Sequence, residues 1–353
     1  MKLAQRYLPV GNLPYDNIKL ITAMEAKLFC NMPFIAVLPA IDENDTVERH
    51  TFENIPGIVY VNNKMVMRAG SEKYKAAIAD LDRAFNNPTS ENLEPYSFEA
   101  VFLEKFCQMI KKFKPKNACI NLLGPFTISQ KLLNTAKEQT LADKNFRKLY
   151  VEAVCVKGLW AINKIKEFCK ETVPIIMLEE PMFGQFGTVK RENDDITTEI
   201  VRGMFEKVIE KLKAAGAIVG IQCMEKCDWS IPINSGVDII SYDAYNNPNN
   251  LCIIPEILTD FLRKGGIVNW GIVPVLNESM VNGLTVDYLS KRLYSTMGGV
   301  ILAGVPADLV QNSATVSLNG DIRKLPVFYA EKAVMMASNL GSRLNMQIRT
   351  PQN

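Results

Sequence analysis

Short apolar runs alternate with longer stretches whose apolar residues recur at helical spacing, and this alternation continues from one end of the chain to the other. Eight runs read as strands, over residues 6–10, 34–38, 118–123, 174–179, 218–223, 237–243, 267–273 and 311–316. Several are apolar at successive positions, as expected of strands covered on both faces, and the segments 146–169 and 196–215 carry helical spacing. An eightfold βα alternation predicts an α/β fold, a single (β/α)8 TIM barrel spanning 1–353 as one domain. No Gly-x-Gly-x-x-Gly follows the first run, which argues against a dinucleotide-binding sheet. The stretch about 41–68 reads as a β-hairpin inserted after the second strand, with runs 58–61 and 64–67 meeting at Asn62-Asn63.

Composition adds exclusions. The 353 residues are 48% hydrophobic and 22% charged with a formal net charge of +2, so neither nucleic acid nor an anionic membrane is an expected partner. The longest apolar runs, such as 298–305, fall far short of a membrane span, and the first ten residues carry no signal-like stretch; a cytoplasmic location is expected. Eight cysteines are scattered, which fits reduced thiols; most sit in apolar contexts as small core residues, and only Cys223 and Cys227 form a close pair. On a C-terminal helix over 324–344, Phe328, Met335 and Met336 read as core, and Trp160 and Trp229 as packing residues. Lys111 to Lys116 reads as a solvated helix end.

In a barrel of this kind the reacting groups come from the C-terminal ends of the strands. Those positions hold Gly11 and Asn12, Gly124 to Thr127, Glu179 and Glu180, Gln222 to Cys227, Asp243, Trp270 to Pro274, and Ser313 to Asn319. Adjacent residues of a strand point to opposite faces, so one of Glu179 and Glu180 looks into the pocket while the other caps or pairs among the helices. Asp243 reads either as the site's central carboxylate or as a cap at the turn into the next helix.

Five motifs carry a resemblance to a known superfamily: Val10-Gly11-Asn12-Leu13-Pro14, Leu123-Gly124-Pro125-Phe126-Thr127, Leu178-Glu179-Glu180-Pro181, Asn269-Trp270-Gly271-Ile272-Val273-Pro274, and the Gln222-Cys223-Met224 strand end followed by Asp243. In this order they resemble the cobalamin-independent methionine synthase and uroporphyrinogen decarboxylase superfamily, and within it the catalytic C-terminal-type barrel and its short single-barrel relatives. The resemblance implies a methyltransferase that transfers a one-carbon group to a small thiol, with zinc holding the thiolate and with a methyl-carrier protein, such as a corrinoid carrier, as a possible partner class. It places Asp243, Glu180 and Glu179 as acid/base or anchoring groups. Gly11, Asn12, Thr127, Gln222, Trp270 and Ser317 become substrate contacts.

The departures fall on the metal. The family's His maps onto Gln222, its Glu onto Asp243, and its last Cys onto Leu318; the chain's single histidine is His50, in the inserted region. A substitute zinc set of Cys223, Cys227 and Asp243 is one expectation. The alternative is a metal-free barrel of the same superfamily that binds a small metabolite without methyl transfer. Folate-dependent methionine synthesis is not expected on either reading.

Overall fold

The computed structural model describes residues 3, 5–9, 11–61, 64–133, 140–186 and 196–349. Two short strands, β1 (Ile58–Val61) and β2 (Lys64–Met67), pair antiparallel with Val61 opposite Lys64. The Asn62-Asn63 turn lies outside the described residues. The expected 41–68 hairpin is thus shorter than the sequence suggested. Its first part folds as the helix Val47–Phe52, capped by Thr46, whose side chain accepts the Arg49 N–H.

The main sheet has six strands: β3 (Asn117–Leu123), β4 (Val173–Glu179), β5 (Ile218–Cys223), β6 (Ile239–Tyr242), β7 (Ile267–Val273) and β8 (Ala314–Leu318). They lie side by side in chain order, every neighbouring pair parallel, and the sheet is curled. Parallel neighbours need a crossover, and helices such as Lys144–Phe168, Thr198–Ala214 and Val286–Leu302 supply it. All positions of β3 and β7 are buried, which is why those runs lack simple alternation.

The two runs expected before β3 occur as single parallel bridges. Tyr7 bridges Val316 of β8, Asn12 bridges Val37, and Phe34 bridges Cys119 of β3. Backbone bonds accompany each bridge: Leu8 N–H to the Val316 carbonyl at 3.0 Å, Val37 N–H to Gly11 at 2.8 Å, and Ile35 N–H to Cys119 at 3.3 Å. Pro9 and Pro33 have no N–H to give, which interrupts a longer ladder; Val10 lies outside the described residues. The helix Val327–Arg349 comes close to the first segment at Gly341, where a Cβ would stand 2.9 Å from the Arg6 carbonyl oxygen.

Three features differ from the sequence reading. Residues 311–312 finish the helix Ala307–Asn312, started with Asp308 in its first turn, so the last strand runs 314–318 and not 311–316. β6 is shorter than 237–243 at both ends; just before it the Asp238 carboxylate accepts the Val219 N–H and the Lys213 ammonium, and just after it Asp243 accepts the Asn246 N–H. On the last helix Met336 is buried, but Phe328 and Met335 are 68% and 47% exposed. The buried stripe there runs through Ala330, Ala333, Val334 and Ala337, and Phe328 and Met335, two helical turns apart, share the opposite side.

Candidate active site

Strand register divides the strand ends into two sets. In-register neighbours of a parallel sheet point to the same face, and Glu179, Gln222, Ser241, Asn269 and Thr315 follow one another across β4 to β8. Two residues further along β8, Ser317 shares that face. The alternate row contains Cys223, Tyr242, Trp270 and Val316. Trp229, beside the helix Ser230–Asn234, packs its ring 6.3 Å from Tyr242, whose ring lies 5.6 Å from Trp270. That row therefore faces the helices, and the polar row lines the inner face.

Hydrogen bonds connect the polar row. The Asn269 Nδ2 donates to the Ser241 and Ser317 hydroxyls, each at 2.8 Å, while its Oδ1 accepts from Thr315 at 3.0 Å. All four side chains are at most 3% exposed, and their mutual satisfaction is what makes such burial tolerable. Toward β3, Asn121 donates to the Glu179 Oε1 at 2.8 Å. Gly11 sits against this pair, since a Cβ there would approach the Asn121 amide nitrogen to 3.3 Å.

Glu179 is half-buried at the end of β4. Burial pushes its carboxyl up to about 6, with Asp321 adding to the rise and the Asn121 bond, Lys131 and Arg323 opposing it. A carboxyl in this range exchanges protons near neutrality, as a general acid or base must. Gln222 is half-buried on the same face, and Asn12, also half-buried, follows Gly11.

Asp243 stands just past β6. Its Oδ1 accepts from the Asn246 N–H at 3.0 Å and from Asn319 Nδ2 at 3.1 Å, and its Oδ2 accepts from Asn246 Nδ2 at 2.6 Å. Asn319 in turn accepts the Val275 N–H at 3.1 Å. These bonds make Asp243 the staple of the β6, β7 and β8 ends, closer to the capping reading than to a free catalytic acid.

Glu180 points the other way. Fully buried, it accepts the Phe126 N–H at 3.0 Å and the Thr127 N–H at 2.7 Å, which open the helix Pro125–Lys131. Gly124 leaves it room, for a Cβ there would overlap the carboxylate at 2.0 Å. Burial raises Glu180 to about 7 against the opposing pull of these bonds. Thr127, also fully buried, accepts the Met182 N–H at 3.2 Å. The geometry gives both residues to the loop anchor and not to the mouth.

The expected zinc set does not fit. Cys223 belongs to the helix-facing row with its Sγ directed to the Glu225 carbonyl, Cys227 lies beside it, and Asp243 is committed to amides on the inner side. Among the described residues no three His, Cys, Asp or Glu side chains gather closely enough to hold a metal. His50 is buried, 2.6 Å from Asp45 and stacked on Phe98, where Asp45 also accepts the Leu38 N–H. Trp270, expected as a substrate contact, faces the helices. Ser317 is on the inner face but bonded within the sheet.

Asn121 and Ser241 escaped the sequence reading, Asn269 entered it only within a motif, and Thr315 and Asn319 only within the 313–319 stretch. The signal was present: Asn121, Ser241 and Asn269 each interrupt an otherwise apolar run, and a buried polar residue is more informative than another buried Leu.

No family model matches the chain, and no curated protein matches it. Among solved structures it is similar to the β-glycosidase from the hyperthermophile Thermosphaera aggregans, with 10% identity and a TM-score of 0.44 over 93% of this chain and 86% of that one. A likeness of that size bears on neither family nor chemistry. No helix among the described residues is long and apolar enough to cross a membrane.

Proposed function

We propose that the chain is a barrel whose mouth binds a small polar metabolite without a transition metal, with Glu179 exchanging a proton with the bound molecule. Closure is supported by the three parallel bridges, which continue from β8 through the segments around Tyr7 and Val37 to β3. Eight parallel segments then form one ring, β1 and β2 are an insertion after the second, and the C-terminal strand ends form the mouth. The observation that carries the functional reading is Glu179. It is the half-buried carboxyl on the inner face, held by Asn121 and raised to about 6.

The five motif resemblances supply the substrate class, a small amino acid or thiol of the kind handled in one-carbon metabolism. Thiol activation by zinc drops out of the reading because the donors do not converge. Binding is tested by isothermal titration of the purified protein with L-homocysteine, L-methionine and L-serine between pH 5 and 7.5. Affinity for at least one is expected to change across pH 6 in the wild type and to be flat in Glu179→Gln. Absence of saturable binding by all three, or an unchanged pH profile in the variant, overturns the proposal.

A further inference from the structure

Cys223 and Cys227 hold no metal, yet they form a close pair of thiols. Cys223 ends β5 and is fully buried, whereas Cys227 lies in the loop that follows and is partly open to solvent. The loop turns back over the strand end: the Cys223 thiol points to the Glu225 carbonyl at 3.6 Å, and the Cys227 thiol is hydrogen-bonded with that of Cys223. Sulfur atoms in such contact need little more than side-chain rotation to reach a bond of about 2 Å.

The backbone on both sides of Cys223 is fastened to the neighbouring strand end. The Gln222 carbonyl accepts the Glu180 N–H at 2.8 Å. Glu225 packs against Gly184, where a Cβ would stand 2.2 Å from the Glu225 Cβ, so only glycine admits it. These contacts keep the two thiols facing each other.

We infer that Cys223 and Cys227 are a modification site, a dithiol that hydrogen peroxide closes into a disulfide. The more exposed thiol reacts first. The Cys227 thiolate attacks one peroxide oxygen, the O–O bond breaks, and the departing oxygen takes up a proton and leaves as water, with Cys227 oxidised to a sulfenic acid. The Cys223 sulfur then attacks the Cys227 sulfur, the S–O bond breaks, and the departing hydroxyl takes the Cys223 proton as a second water. The two sulfurs together lose two electrons, and the peroxide gains them. Burial, the contact with Cys223 and the Asp228 charge push the Cys227 thiol above its ordinary range, so thiolate is scarce at neutral pH and the first step is slow there. The same surroundings favour the uncharged disulfide once it has formed, because stabilised thiolates are what make a disulfide easy to reduce.

Lys226 stands between the two cysteines, so trypsin places them in separate peptides, 214–226 and 227–263, which stay joined only through the disulfide. The folded full chain, treated with excess hydrogen peroxide, alkylated and digested without reductant, should yield the joined pair, with fragmentation assigning the link to Cys227 and not Cys252. Dithiothreitol should separate it. In Cys223→Ala the reaction should halt at the sulfenic acid, which dimedone traps on Cys227 in at least tenfold greater yield than in the wild type. Absence of the joined pair, a link to Cys252 in its place, or equal dimedone labelling of Cys227 with and without Cys223 overturns the inference. Should Cys223→Ala fail to fold, the peptide map of the wild type decides alone.

Discussion

Glu179 and Glu180 are neighbours in the chain and inhabit different regions of the molecule. Glu179 ends its strand on the inner face, half-buried, with one amide donor from Asn121. Glu180 is fully buried on the helix side and holds two backbone N–H groups of the following helix. The contrast separates a carboxyl that can exchange protons with something arriving from one that keeps a loop folded. It extends along the sheet: Gln222, Ser241 and Asn269 go with the first, Cys223, Tyr242 and Trp270 with the second.

The largest effect expected from breaking this comparison is on stability, at Glu180. Replacing it by Ala strands the Phe126 and Thr127 N–H groups in a buried place, and about 3 kcal/mol should be lost in urea unfolding. Glu180→Gln retains an acceptor and should recover part of that loss. A small change in Glu180→Ala would mean that the loop is held otherwise.

Next comes the inner network. Asn269→Ala removes the partner shared by Ser241, Thr315 and Ser317, at a cost of about 2 kcal/mol by the same assay. Asn269→Asp should be no better, because a carboxylate has no N–H to offer the two serine hydroxyls.

The two glutamates also make a joint prediction about pH. Each is raised above its ordinary 4.5, Glu179 to about 6 and Glu180 to about 7, so the folded state retains protons that the unfolded chain has released. Stability from this source is therefore greatest below pH 4.5 and falls as pH rises through about 7. Urea midpoints between pH 4.5 and 7.5 should slope downward, and the double variant Glu179→Gln/Glu180→Gln should flatten the slope. An upward slope that the double variant leaves unchanged would assign the pH dependence to other groups.

Smallest in stability is the change at Glu179 itself. Glu179→Gln should shift unfolding by less than about 1 kcal/mol, since Asn121 keeps an acceptor. Cys223→Ala, on the opposite face, should cost about 1–2 kcal/mol as a filled core position is emptied. Equal stability losses at Glu179 and Glu180 would erase the distinction between the two regions.

Much of this arrangement was legible in the chain. The fifth and seventh expected strands, 218–223 and 267–273, have the bounds found for β5 and β7, because short runs that open on Ile-Val and lie between helical stretches leave little freedom. The opposition of Glu179 and Glu180 also followed from local geometry. Period-two alternation separates neighbouring side chains wherever the strand lies.

Which member of each pair faces inward was decided by the tertiary structure alone. Alternation determines that Gln222 and Cys223 differ, as do Asn269 and Trp270, but the assignment of faces comes from strand register and from the helices that cover one side. The same holds for Asp243. The residues that surround its carboxylate include Asn319, 76 positions away, and no local pattern announces a bond across that distance. The sequence determined the elements and their alternation because those depend on neighbours within a few residues. Register and packing determined the site because its geometry depends on which distant strands were brought side by side.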